Sequence, residues 1–187
     1  NAEAANARAA GTFQGDEGAT ACVICTPGGY CPRGAVAPAL CEAGSYSGAS
    51  GNANASDCVG CPAGSSCSTG ALVHTPCSPG KVQPLDGQHE CAKCVAGKYQ
   101  QGTGETECLD CTDGAYCEEG SSSPLPCPSG RHQNGTMTAL NLSMTSEDDC
   151  EACPARAFSS AGAAEPAPCA PPPVPPRPAA PRAGHGG

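Results

Sequence analysis

The sequence predicts a small disulfide-rich repeat protein: an elongated ladder of cross-linked loops with short β-hairpins, almost no helix and an extended polyproline II tail. Three observations predict it. Leu, Ile, Val and Phe together number 17 among 187 residues, with no Trp and two Met. That is too little apolar surface to offset the entropy of an ordered chain. Cysteine, also at 17 residues, is enriched to the level of a disulfide scaffold, and covalent links can replace a missing core. The third observation is that the cysteine intervals recur.

Three times the chain reads C-x2-C-x5-C-x9-C: at Cys22, Cys25, Cys31 and Cys41; at Cys58, Cys61, Cys67 and Cys77; and at Cys108, Cys111, Cys117 and Cys127. The remaining intervals hold 16, 13, 13, 22 and 15 residues and vary. A finer unit lies inside. Cys25, Cys41, Cys61, Cys77, Cys94, Cys111 and Cys127 are each followed three residues later by Gly. Two residues further on stands a bulky side chain, at Tyr30, Tyr46, Val82, Tyr99, Tyr116 and His132, with Ser66 the exception. Glycine allows a positive φ, so the chain can turn straight after the cross-link. The residue two further on is then expected to point back over the disulfide. Cys153 keeps the bulky residue as Phe158 but has Arg156 in the glycine position. The repeat divides the chain into a degenerate first cysteine-rich module at 1–41, a second at 42–77 and a short one at 78–94. A third full module follows at 95–127, then a terminal module at 128–169 and a proline-rich tail at 170–187.

An odd cysteine count leaves one thiol over. Gly11 and Phe13 occupy the glycine and aromatic places of a unit whose opening cysteine falls at position 8, where the sequence has Arg8. Cys22 is therefore the expected odd thiol, unpaired or intermolecular. The other sixteen suggest nearest-neighbour pairing: Cys25–Cys31, Cys41–Cys58, Cys61–Cys67, Cys77–Cys91, Cys94–Cys108, Cys111–Cys117, Cys127–Cys150 and Cys153–Cys169. An interleaved pairing within each block of four, such as 22–31 with 25–41, is the rival, and sequence alone does not decide between them. Closing loops of this size contributes about 2–4 kcal/mol each in the chain-entropy model. Local links of this kind make each module touch mainly its neighbours, as in a solenoid.

Regular cysteines read as disulfides in an oxidising compartment. Sequons at Asn54, Asn134 and Asn141 point the same way, towards N-glycosylation outside the cell. The chain starts at Asn without a signal peptide and is read as a mature or partial chain. No apolar run approaches the roughly 20 residues that span a membrane. A net charge of −9 disfavours nucleic acid and anionic lipid as partners. The tail carries Pro171, Pro172, Pro173, Pro175, Pro176, Pro178 and Pro181, so an extended polyproline II rod is expected. Pro172, Pro175 and Arg177 also fit an SH3-ligand pattern, but SH3 domains and secreted disulfides occupy different compartments.

The run CTDGAYCEEGSSSPLPCPSG (Cys111–Gly130), with CEAGSYSGASG and SDCVGC between Cys41 and Cys61, resembles the ephrin-receptor-like cysteine-rich repeat. That repeat is related to tumour necrosis factor receptor and EGF-like growth-factor-receptor modules and occurs in large secreted proteins of algae and protists. The resemblance covers about Gly11 to Cys169 and implies an elongated disulfide-rich architecture. Arg8, Ser66 and Arg156 depart from the pattern. The Pro/Ala/Val tail resembles hydroxyproline-rich glycoproteins, which implies hydroxylated, sugar-bearing prolines. Together the two resemblances imply a cell-surface or flagellar-hair (mastigoneme-type) glycoprotein.

The expected function is structural and non-catalytic: an extracellular rod-like spacer or fibre subunit, with no cofactor beyond covalent glycans. Its expected partners are further copies or other extracellular structural glycoproteins. A ligand-binding receptor ectodomain is the first alternative. Zinc binding is the second, since the CxxC pairs 22/25, 58/61, 91/94, 108/111 and 150/153 have ligand spacing. His74, His89, His132 and His185 are scattered, and no catalytic constellation includes them. The acidic group Glu147, Asp148, Asp149 and Glu151 reads as a solvated loop.

Overall fold

The computed structural model describes residues 9–15, 21–140, 142–155 and 157–168. Within them the chain forms nine two-stranded antiparallel hairpins in succession. The first three pair β1 (Thr12–Phe13) with β2 (Val23–Ile24), β3 (Gly29–Tyr30) with β4 (Ala39–Leu40), and β5 (Ser45–Tyr46) with β6 (Val59–Gly60). The next three pair β7 (Ser65–Ser66) with β8 (Thr75–Pro76), β9 (Lys81–Val82) with β10 (Ala92–Lys93), and β11 (Lys98–Tyr99) with β12 (Leu109–Asp110). The last three pair β13 (Ala115–Tyr116) with β14 (Leu125–Pro126), β15 (Arg131–Gln133) with β16 (Cys150–Ala152), and β17 (Ala157–Phe158) with β18 (Ala167–Pro168). Helix is confined to α1 (Gly135–Ala139) and two 3-10 turns, Ala55–Asp57 and Glu147–Asp149. This is the nearly helix-free, disulfide-rich repeat ladder that the composition predicts; the expected polyproline II tail lies outside the described residues.

A two-stranded hairpin is marginal alone, so each unit depends on its neighbours. The opening cysteine of every unit from the second onward donates its N–H to the carbonyl of the glycine in the unit before, from Cys25 to Gly11 through Cys153 to Gly130, at 2.8–3.0 Å. The same glycines donate forward to the sixth residue after the next opening position, as Gly11 does to Cys31 and Gly64 to Gln83. The sixth residue in turn reaches one unit further, with Cys67 N–H on the Gln88 carbonyl and Gln83 N–H on that of Glu105.

The glycines do more than turn the chain. Gly64 sits at φ +77, and a Cβ there would stand 2.0 Å from the carbonyl oxygen of Gly104, two units ahead. Gly28, Gly44, Gly80 and Gly114 face Gly70, Gly87, Gly120 and Gly162 in the same way, at 2.1–2.4 Å. Each unit therefore packs against the next two. The requirement for glycine is both conformational and steric. A second glycine nine or ten residues after the opening cysteine supplies the facing carbonyl, except in the unit opened by Cys127, where Gly97 faces Ser143 instead.

What is buried is mostly sulfur. Among the described residues, ten of the thirteen buried apolar side chains are half-cystines; Val82, Ala115 and Met144 are the others. The bulky residues do not each cover their own bridge. Tyr30, Tyr46, Tyr99 and Tyr116 are half-buried, while Phe158 is 57% exposed. Two of them lean forward. Tyr116 packs on Cys127, Cys150 and Met144 of the following unit, and the Tyr46 ring meets His74 edge-on at 5.6 Å. At these two places the ring packs across the junction between modules.

Two predictions follow from the packing. Gly34 has φ +86 with open space at its Cβ position, so Gly34→Ala is expected to cost only the left-handed backbone penalty of about 1–2 kcal/mol. Gly64→Ala adds a backbone clash, and its loss in chemical denaturation is expected to exceed that of Gly34→Ala clearly. Equal losses would contradict the steric role of the seat.

Candidate functional site

Seven disulfides run through the ladder: Cys25–Cys31, Cys41–Cys58, Cys61–Cys67, Cys77–Cys91, Cys94–Cys108, Cys111–Cys117 and Cys127–Cys150. Their Cα–Cα separations are 5.7–5.9 Å. The units are of two kinds. In short units the sixth residue after the opening cysteine is the second cysteine, at Cys31, Cys67 and Cys117. In long units the bridge closes further on, and the sixth place holds Ser47, Gln83, Gln100 or Gln133. The Gln83 amide donates to the Glu90 carbonyl at 2.7 Å and accepts from Leu85 N–H at 3.2 Å. Gln100 bonds Glu107 and Gly102 in the same manner. In the third unit Asn52 does this work, donating to Gly29, Ser47 and Ala49. A buried amide thus ties the loop by hydrogen bonds where the short unit uses sulfur. This role was readable from the recurrence of Gln six residues after Cys77, Cys94 and Cys127, but an uncharged polar residue in a loop draws little notice.

The ninth unit corrects the expected Cys153–Cys169 pairing. Cys153 is a free, half-buried thiol whose Sγ donates to Ser159 Oγ at 3.1 Å, and Ser159 stands six residues on. Ser159 therefore holds the place of Cys31, Cys67 and Cys117. Cys169 lies outside the described residues, but it follows Cys153 by the 16 residues that separate Cys25 from Cys41, Cys61 from Cys77 and Cys111 from Cys127. Its register is that of the next unit's opening cysteine. Gly162, nine residues after Cys153 as Gly70 is after Cys61, already marks the ninth unit as short.

Cys22 is likewise a free, half-buried thiol. Its hairpin forms all the same, with Phe13 opposite Val23 and Cys25 N–H bonded to Gly11. Arg8 lies outside the described residues. Every CxxC pair contains at least one half-cystine, and Cys58/Cys61, Cys91/Cys94 and Cys108/Cys111 are bridged on both sides to different partners. Zinc ligation by such pairs requires free thiolates. Among the described residues no three His, Cys, Asp or Glu side chains gather as a metal would need.

Asn54 is exposed at the start of the first 3-10 turn. Asn134 is half-buried, and its Oδ1 accepts from the N–H groups of Thr136 and Met137 at the start of α1. Asn141, His185 and the tail prolines lie outside the described residues. His74 bonds Ser65, His89 is exposed, and His132 is buried. Of the acidic group, Asp149 has a local structural role. Asp149 accepts from Thr145 N–H at 2.7 Å, and these bonds hold its carboxyl below the usual range, led by the Thr145 backbone bond. Asp57 does the same for Asn54 and Ala53, with its carboxyl lowered chiefly by the Asn54 backbone bond.

No protein-family model matches the chain, and no curated protein matches it either. No helix among the described residues is long and apolar enough to cross a membrane.

Ser159→Cys is expected to close an eighth bridge with Cys153, so thiol titration of the oxidised protein should fall by one although a cysteine is added. A rise by one would show that Cys153 is already engaged elsewhere. Because both carboxyls are lowered in the folded state, their stabilisation is present above the ordinary carboxylate pKa and lost as pH falls through the lowered one. Amide exchange at Asn54 and Ser146 should therefore accelerate below about pH 4, beyond intrinsic exchange, while the bridges stay closed.

Proposed function

We propose that the chain is a structural, non-catalytic segment of an extracellular glycoprotein, serving as a rod-like spacer or fibre subunit. The observation that carries this reading is the interior itself: half-cystines stacked in sequence order, with backbone hydrogen bonds among the described residues joining each unit to its neighbours. Disulfides in this number persist in oxidising compartments, and the ladder fits an extracellular setting. The resemblance to ephrin-receptor-like repeats supports the same reading, as does the likeness of the proline-rich tail to hydroxyproline-rich glycoproteins. Glycans at Asn54, Asn134 and Asn141 would project from the long loops, where variation in length is tolerated. Cys22 stands as a free thiol or as a link to another chain. The zinc reading loses most of its thiolates to the bridges, and the receptor reading would need a saturable soluble partner.

Small-angle scattering of the secreted chain before and after mild reduction tests the proposal. The expected result is a maximum dimension well above that of a globular protein of this size, and rapid proteolysis once reduced. A compact particle that survives reductant would overturn it, as would cysteines recovered reduced and sequons unmodified from the native source.

A further inference from the structure

One junction of the ladder is built differently. At seven of the eight, the glycine N–H bonds a main-chain carbonyl of the next unit. At Gly114 it bonds the side chain instead, with Gln133 Oε1 accepting at 2.8 Å. A side chain is thereby interposed between the two backbones, and the long loop carrying α1 stands beside it. A cavity of about 500 Å³ opens there, between α1 and the loop that leads into β18.

Acceptors predominate among its polar groups. His132 is 9% exposed and lines the cavity. Its Nδ1 lies 2.7 Å from the Gln133 carbonyl oxygen, so Nδ1 carries a proton and donates there, which leaves Nε2 as the acceptor nitrogen whenever the ring is uncharged. Nε2 has no partner among the described residues. No fully enclosed side-chain nitrogen or oxygen among them lacks one, so Nε2 is not sealed off, on a residue that lines the cavity. The carboxylates of Asp113 and Glu165 stand on the lining, and the Gln133 amide approaches Asp113 at 3.5 Å. The remaining walls are apolar, from Ala139 and Pro166, and no Lys or Arg among the described residues contributes. A buried acceptor, two carboxylates and short apolar walls suit a cation that carries several N–H donors on a hydrocarbon stem.

We propose that this cavity binds a guanidinium group on an aliphatic stem. Such a group comes from two sources: an arginine of this chain, at Arg156, Arg177 or Arg182 outside the described residues, or a separate molecule. The planar fork pairs with a rim carboxylate while the stem lies along Ala139 and Pro166. This site is independent of the structural role proposed above.

The test is titration of the full oxidised chain with agmatine at constant ionic strength, read at the His132 Cε1–H resonance. The same titration is run on a chain with Arg156, Arg177 and Arg182 replaced by Gln. A saturable shift in the natural chain identifies a separate molecule as the source; a shift only in the substituted chain identifies its own arginine. In the responding chain, Asp113→Asn with Glu165→Gln, which leaves the hairpins intact, should weaken binding by at least about tenfold. No saturable shift in either chain, or a shift that the double substitution leaves unchanged, overturns the proposal.

Discussion

The ladder depends on a close approach that only glycine permits: a carbonyl oxygen lying 2.0–2.4 Å from where a Cβ would be, repeated at Gly28, Gly44, Gly64, Gly80 and Gly114. The contact fixes the distance between a unit and the unit two ahead. It also leaves the opening cysteine within reach of the preceding glycine's carbonyl, so one geometric condition serves two sets of hydrogen bonds. The disulfides act within units and the glycines act between them. With hardly any hydrocarbon to bury, the protein gains its rigidity from covalent closure of loops and from the exact spacing of backbones.

The exchange at the sixth residue shows how such a design tolerates variation. A cystine at Cys67 and an amide at Gln83 satisfy the same demand, which is to hold the loop closed while presenting its main-chain carbonyl to the previous glycine. The amide version frees the second cysteine to bridge further along, so the loop can lengthen. The loop between Cys127 and Cys150 has lengthened most, and it contains α1 and the buried Met144. Variation in length is thus confined to one side of each unit.

Much of this was legible in the sequence. Cysteine intervals and the glycine three residues on gave the unit, because a bridge and a positive φ are strict local requirements. Packing between units was harder to read. The second glycine escaped notice because its partner lies two units away, and the forward lean of Tyr46 and Tyr116 is a tertiary matter that spacing does not encode. The last bridge was misread for a related reason. Pairing the final two cysteines treated their order as decisive, whereas register decides: Gly162 and the 16-residue step to Cys169 assign them to different units.

The sequential order of the bridges has a mechanical consequence. If the two ends of the ladder were pulled apart, tension would bypass every closed loop through its S–S bond, since the 17 residues from Cys41 to Cys58 and the 23 from Cys127 to Cys150 are short-circuited by sulfur. Only the few residues joining one bridge to the next would carry load. Stretching would peel hairpins from one another in sequence and then stop abruptly, giving a tether that yields a little and resists strongly thereafter.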